Sequence, residues 1–336
     1  MKSFAVWNNK GGIGKTYLSF ALGTEYARQH PTAKVILVDM CPQANLSEIV
    51  LGGNGKGASV LSELILQRLT IGGYFDQRIN SPHVKTGGEH GFLLLGKKYN
   101  EALPDNLYLI SGDPSLEVQS QAINQLSNIS LPQDSWKNVH LWLKDLIDSC
   151  SNKLGQGDCL VLIDCNPSFS AYTAQSLIAS HNMIIPCSSD GSSARAIDNL
   201  AQLVYGIGIS ESYKNVNFAT RCNQFNISLP MIHSVILNRS TQYNKGASKA
   251  FHAMFQEIKK RVEALRVISP QSFQSGQVKF FDIPDNHSVA VVSSHLGFPI
   301  AKIQPGKYRV HDTHPQINPE PLDRYKKSID LVSKSL

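Results

Sequence analysis

No two of the six cysteines are spaced as C-x-x-C, which removes the zinc sites and clusters built on such pairs. Cys159 and Cys187 sit in apolar runs and read as core residues, and the set as a whole reads as reduced thiols in a cytosolic protein. No run of 18 apolar residues occurs, so no transmembrane helix is expected. The opening "MKSFAVWNNK" is too short and too polar for a secretory signal. No helix-turn-helix module is recognisable, so sequence-specific base reading has no support. Internal repeats are absent too. Excess positive charge is missing from the first 238 residues, which hold 17 Lys+Arg against 18 Asp+Glu. The last 98 hold 15 against 8, so the whole net charge of +6 comes from that end. Such asymmetry suits contact with a polyanion, and a merely solvated basic face is the alternative.

What is present is a 42% apolar chain of 336 residues, long enough to bury a large core without disulfides. Short apolar runs alternate with amphipathic stretches. Strands are expected at Phe4–Trp7, Val35–Val38, Leu107–Ile110, Cys159–Ile163, Met183–Pro186 and Ile232–Leu237. Several are continuous rather than alternating, as in a parallel sheet buried on both faces. Helical spacing marks Thr16–Gln29, Trp136–Ile147 and Ala247–Leu265. The pattern predicts a single α/β domain over 1–336, doubly wound, with a mostly parallel sheet and helices on both faces. A Gly-, Asn-, Pro- and His-rich stretch near 72–105 and a polar link near 124–133 read as surface elaborations of that domain.

After the first strand comes "NNKGGIGKT". Gly11, Gly12 and Gly14 let backbone N–H groups approach a phosphate, and the following helix adds its positive end. Ile13 and Tyr17 contribute backbone to the same cradle. Lys15 is placed for β- and γ-phosphates, and Thr16 offers a hydroxyl to Mg²⁺. The ordinary phosphate loop has a glycine where Asn9 stands, and no lysine at position 10. K-G-G-x-G-K-[ST] is instead the deviant Walker A pattern, and residues 10–16 satisfy it throughout. The chain therefore resembles the ParA/MinD family of P-loop NTPases, on the ParA side.

Other motifs agree in family order. Asp39, Pro42, Gln43 and Asn45 match D-x-D-P-Q-x-N, and Asp164-Cys165-Asn166-Pro167-Ser168 is close to D-x-P-P-S. The resemblance implies an ATPase that binds ATP and Mg²⁺ and closes as a homodimer around two nucleotides. It implies that Lys10 reaches the partner's nucleotide and that Lys15, Asp39 and Asp164 serve catalysis. Thr16, Asp39 and Asp164 would serve the metal. Asn238, with Pro284 and Asp285 of "DIPD", would contact adenine. It further implies non-specific DNA binding by the dimer, a ParB-like or adaptor partner with a basic N-terminal segment, and a cytoplasmic, nucleoid-associated life in plasmid or chromosome partition or cargo positioning. Cations offered to DNA are Lys245, Lys249, Lys259, Lys260, Arg261, Arg266, Lys302, Lys307, Arg309, Arg324, Lys326 and Lys327, with Arg195 as a further candidate. The MinD-like alternative, membrane binding by the amphipathic tail "EPLDRYKKSIDLVSKSL", is not expected, because such a helix more often packs on its own domain.

Cys41 departs from the pattern. It takes the place of the second aspartate, which in the family helps to position the attacking water. A thiol is a weak acceptor and is mostly protonated at neutral pH. The expectation is good ATP binding with slow turnover, as in a regulatory or defence switch; alternatively, another group holds the water.

Overall fold

The computed structural model describes residues 1–188, 190–240, 242–243, 246–247 and 249–336. Eight strands form one sheet: β1 (Lys2–Val6), β2 (Lys34–Met40), β3 (Leu93–Leu95), β4 (Leu107–Ile110), β5 (Cys159–Cys165), β6 (Asn182–Cys187), β7 (Met231–Ser240) and β8 (Lys279–Pro284). Their order across the sheet is β8-β7-β6-β1-β5-β2-β4-β3. Every neighbouring pair is parallel except β3–β4 at one edge. The six expected strands are all present. The two that sequence pattern did not suggest are the edges: β3 has three residues, and β8 shows no clean alternation.

Among the described residues, fourteen α-helices cover the sheet and its ends: α1 (Lys15–Gln29), α2 (Asn45–Val50), α3 (Lys56–Leu66), α4 (Ile71–Asn80), α5 (Gly96–Tyr99), α6 (Leu116–Ser127), α7 (Ser135–His140), α8 (Trp142–Lys153), α9 (Ala171–Ile178), α10 (Gly191–Tyr205), α11 (Phe218–Gln224), α12 (Lys249–Ile268), α13 (His287–Leu296) and α14 (Pro319–Ser333). The single helix expected over Trp136–Ile147 is two, α7 and α8, joined at Leu141. The apolar face survives the break, with Val139, Leu143, Leu146 and Ile147 all fully buried.

The sheet divides the core. Ala5 and Trp7 of the first strand segment face one apolar layer, with Ile36, Val38, Tyr74, Phe75 and Trp142. Phe4 and Val6 face the other, with Leu18, Phe20, Leu22, Leu37 and Leu162. Burial on both faces explains why these strands read as continuous apolar runs. The segment 72–105 is less peripheral than expected. Its helix α4 drives Tyr74 and Phe75 into the core, and its Arg78 is 2% exposed and paired with Asp145 at 2.9 Å. Aromatic residues inside a polar composition were the missed sign.

The C-terminal helix α14 lies along α1. Leu322, Tyr325, Ile329 and Val332 are buried there, and the Tyr325 ring stacks on Tyr17 with centroids 6.5 Å apart. Gln29 donates to Asp330 at 2.9 Å and fixes the far end of the pair. The apolar stripe of the tail is thus packed against its own domain.

Candidate functional site

The carboxyl ends of β1, β5 and β2 are neighbours in the sheet. Val6 pairs with Asp164, and Asp164 pairs with Asp39. The glycine loop leaves β1 at this edge and turns into α1. Gly12 and Gly14 hold φ of 73° and 80°, left-handed values that favour glycine. Gly14 also caps α1, so no side chain satisfies the first N–H groups, and the first turn carries no acid. A helix start left open in this way attracts an anion. A cavity of about 490 Å³ opens above it. Residues 11–17 line one side, with Cys41, Cys165 and Pro167 at strand ends. Asn45, Glu48, Ile49 and Asn54 follow β2, and Ser294 comes from α13.

Lys15 is 6% exposed, and its ammonium donates to the carbonyls of Asn8 at 3.1 Å and Lys10 at 2.7 Å. Burial lowers its pKa, and the Asp164 charge opposes that shift. Asn8 in turn donates to the Pro186 carbonyl at 2.7 Å, which anchors the loop to β6. Lys10 points elsewhere. Its ammonium donates to the Ser188 hydroxyl at 2.8 Å and forms an ion pair with Asp190. That cation holds the Asp190 carboxyl well below the usual carboxylate range.

The two aspartates differ. Asp39 is fully buried and does not line the cavity. Its oxygens accept from the Cys41 N–H at 3.1 Å and from the N–H and hydroxyl of Ser47, both at 2.8 Å. It is a saturated acceptor that fixes the start of α2. Asp164 is 1% exposed, and among the described residues neither of its oxygens has a partner in full hydrogen-bond geometry, the Thr16 hydroxyl being the nearby group that favours its charge. Burial pushes its pKa up, the Asp39 charge adds to this, and nearby Thr16 and Lys15 pull the other way. An orphaned buried carboxylate beside a hydroxyl at a phosphate loop fits a hydrated cation.

Cys41 lies on the cavity wall, half-buried, and burial pushes its thiol up to about 12. It is neutral at physiological pH. Tyr17 lends its backbone to the loop, but its ring belongs to the α1–α14 contact. Asn166, where the family pattern has proline, accepts from the Ser168 N–H at 3.1 Å and takes the Trp7 indole on its carbonyl at 3.0 Å.

The residues expected to read adenine are not on the cavity. Asn238 is 6% exposed and donates to the Ile13 carbonyl at 2.8 Å, so it braces the phosphate loop from β7. Pro284 closes β8, and the exposed Asp285 donates its N–H to the Ser240 carbonyl at 2.9 Å. Sequence reasoning missed Glu48, Asn54 and Ser294. Glu48 carried a usable signal, an acid in the helix that follows the D-x-C-P-Q stretch; the other two carried none.

Residues 1–88 match the model of an AAA domain family. An uncharacterized protein of Pseudomonas putida KT2440 is 28% identical over 206 residues, which is 61% of this chain and 62% of that protein. This chain therefore spans less than two thirds of that relative's length. Among solved structures, apo McdA of Cyanothece superposes with a TM-score of 0.63 at 15% identity, covering 98% of each chain. An ATP complex of a Cyanothece McdA variant gives 0.64 at 15% identity, covering 100% and 96%. An AMPPNP-bound protein of Borrelia burgdorferi B31, assigned to plasmid partition, gives 0.54 at 16% identity, covering 100% and 99%. What these structures share with the chain is the fold.

Proposed function

We propose that this protein is a ParA-like ATPase that binds Mg-ATP, closes as a sandwich dimer and holds DNA without sequence preference, in partition or cargo positioning. The observation that carries the reading is the uncapped glycine loop at β1 with the partnerless Asp164 carboxylate beside it. Thr16 and Asp164 would hold the Mg²⁺, which supplies charge neutralisation on the phosphates when bound. Lys15 gives up two carbonyl hydrogen bonds to reach the β- and γ-phosphates. Asp39 positions α2 rather than touching the nucleotide. ATP and AMPPNP in the McdA and Borrelia structures are consistent with nucleotide in this cavity.

The DNA surface is narrower than the charge count suggests. Arg261 is paired with Glu257 and Asp198, Arg266 with Glu263, and Lys327 with Asp323. Lys326 donates to the Ile303 carbonyl at 2.7 Å, and Lys259 lies over the Phe255 ring. Lys245 and the Lys249 side chain lie outside the described residues. Among the described residues, the exposed Lys260, Lys302 and Lys307 enter no ion pair, and they are the better phosphate contacts. A ParB-like or adaptor protein would stimulate turnover and release the dimer.

The test is DNA retention with and without ATP for wild type, Lys10→Ala and Lys15→Ala. Retention should require ATP and fail in both variants. Retention independent of ATP and of both lysines overturns the reading. The neutral Cys41 thiol favours a slow cycle, and Cys41→Asp should hydrolyse ATP faster than wild type.

A further inference from the structure

We propose that Glu48 supplies the water-polarising carboxylate that position 41 lacks; this rests on the ATPase reading above. Asp39 is fully buried and its oxygens already accept three hydrogen bonds. Asp164 is 1% exposed and is not on the cavity wall. Cys41 is on the wall but offers a thiol, a weak acceptor, and no carboxylate. Glu48 is the one carboxylate among the described residues that lines the cavity.

Its setting fits the role. Glu48 is half-buried in the first turn of α2, and no hydrogen bond or ion pair of its side chain occurs among the described residues. The adjacent residue, Ser47, is clamped by N–H and hydroxyl to Asp39 at 2.8 Å, and its oxygen accepts from the Gly112 N–H at 2.8 Å. A free carboxylate on a fixed turn is the arrangement a general base needs. It shares the cavity with Cys41, so one carboxylate has moved seven positions along the chain rather than disappeared.

In the reaction, the water oxygen bonds to the γ-phosphorus. The bond from that phosphorus to the β,γ-bridging oxygen breaks, and ADP leaves with the electron pair. Glu48 accepts a hydrogen bond from the water, takes its proton as the new bond forms, and afterwards returns it to solvent.

Phosphate release by the full chain under Mg-ATP tests this in wild type, Glu48→Gln, Cys41→Asp and the double variant, with ATP affinity measured alongside. Glu48→Gln should lower kcat by about 10²-fold or more, within the range for loss of a general base. ATP affinity should stay within about threefold, because a group acting only on the water contributes little to ground-state binding. Adding Cys41→Asp to Glu48→Gln should restore kcat by about tenfold or more. A Glu48→Gln kcat within about twofold of wild type, a loss that tracks ATP affinity, or no recovery in the double variant overturns the proposal. Wild type that binds ATP but releases no phosphate removes the ATPase reading as well, so the two failures are distinct.

Discussion

Asp190→Asn isolates the hold on Lys10. The change keeps the Oδ1 acceptor that caps α10, where Asp190 accepts from the Ser192 N–H at 3.1 Å, and replaces the charged oxygen shared by Lys10 and the Ser188 hydroxyl with a neutral amide. The Lys10 side chain is 27% exposed and that of Asp190 52%, so the pair is a solvated one. Such pairs contribute about 0.2–1 kcal/mol each. If Lys10 must leave Asp190 to reach the partner's nucleotide, both protomers break the pair when the dimer closes. The variant should then favour the ATP-bound dimer by about 0.4–2 kcal/mol, a dissociation constant about 2- to 30-fold tighter. Sedimentation velocity with AMPPNP reads this without turnover. The gain should shrink at high salt, where exposed pairs are screened, and vanish in a Lys10→Ala background. An unchanged or weaker dimer at low salt, or equal tightening without Lys10, refutes the reasoning.

Asn238→Ala leaves the buried Ile13 carbonyl without its donor, at a cost of about 1–3 kcal/mol. ATP and GTP binding should weaken together, whereas a change confined to the ATP-to-GTP ratio would restore Asn238 as a base reader. Gly53→Ala meets both a φ of 76° and a Cβ contact of 2.2 Å with the His295 carbonyl, so denaturant titration should show a loss of about 1–3 kcal/mol or more. Burial, with the Asp39 charge beside it, raises the Asp164 carboxyl above its unfolded value near 4. Its contribution to stability is therefore full below the unfolded value and is lost as pH rises through the folded one. Thermal melts of wild type against Asp164→Asn should show wild type gaining relative stability as pH falls through that window, and a constant difference would refute the shift.

The loop, the strand ends and the alternation of layers were legible because each is written in contiguous residues. Thr16 and Asp164 could be singled out for the same reason: each lies at the end or start of an element whose pattern is local. Asn238 was placed on the right strand but given a base to read. Its partner, Ile13, lies 225 positions away, and nothing in either stretch announces the contact. Asp39 was expected at the metal, and the three donors that saturate it depend on how the chain folds back at Ser47. The segment 72–105 looked peripheral because its Gly and Asn outnumber Tyr74, Phe75 and Phe92, the three aromatic residues that anchor it.

The position of β1 at the middle of the sheet has a consequence for biogenesis. β1 and its phosphate loop are synthesised long before β5 and β6, the strands that flank β1, which start at Cys159 and Asn182. At translation rates of about 5–20 residues per second, β1 waits roughly 8–30 s for its first sheet neighbour. During that interval the nascent chain exposes an apolar strand with two open edges and cannot form its nucleotide cradle. Nucleotide can therefore stabilise the site only after β5 and β6 have been made.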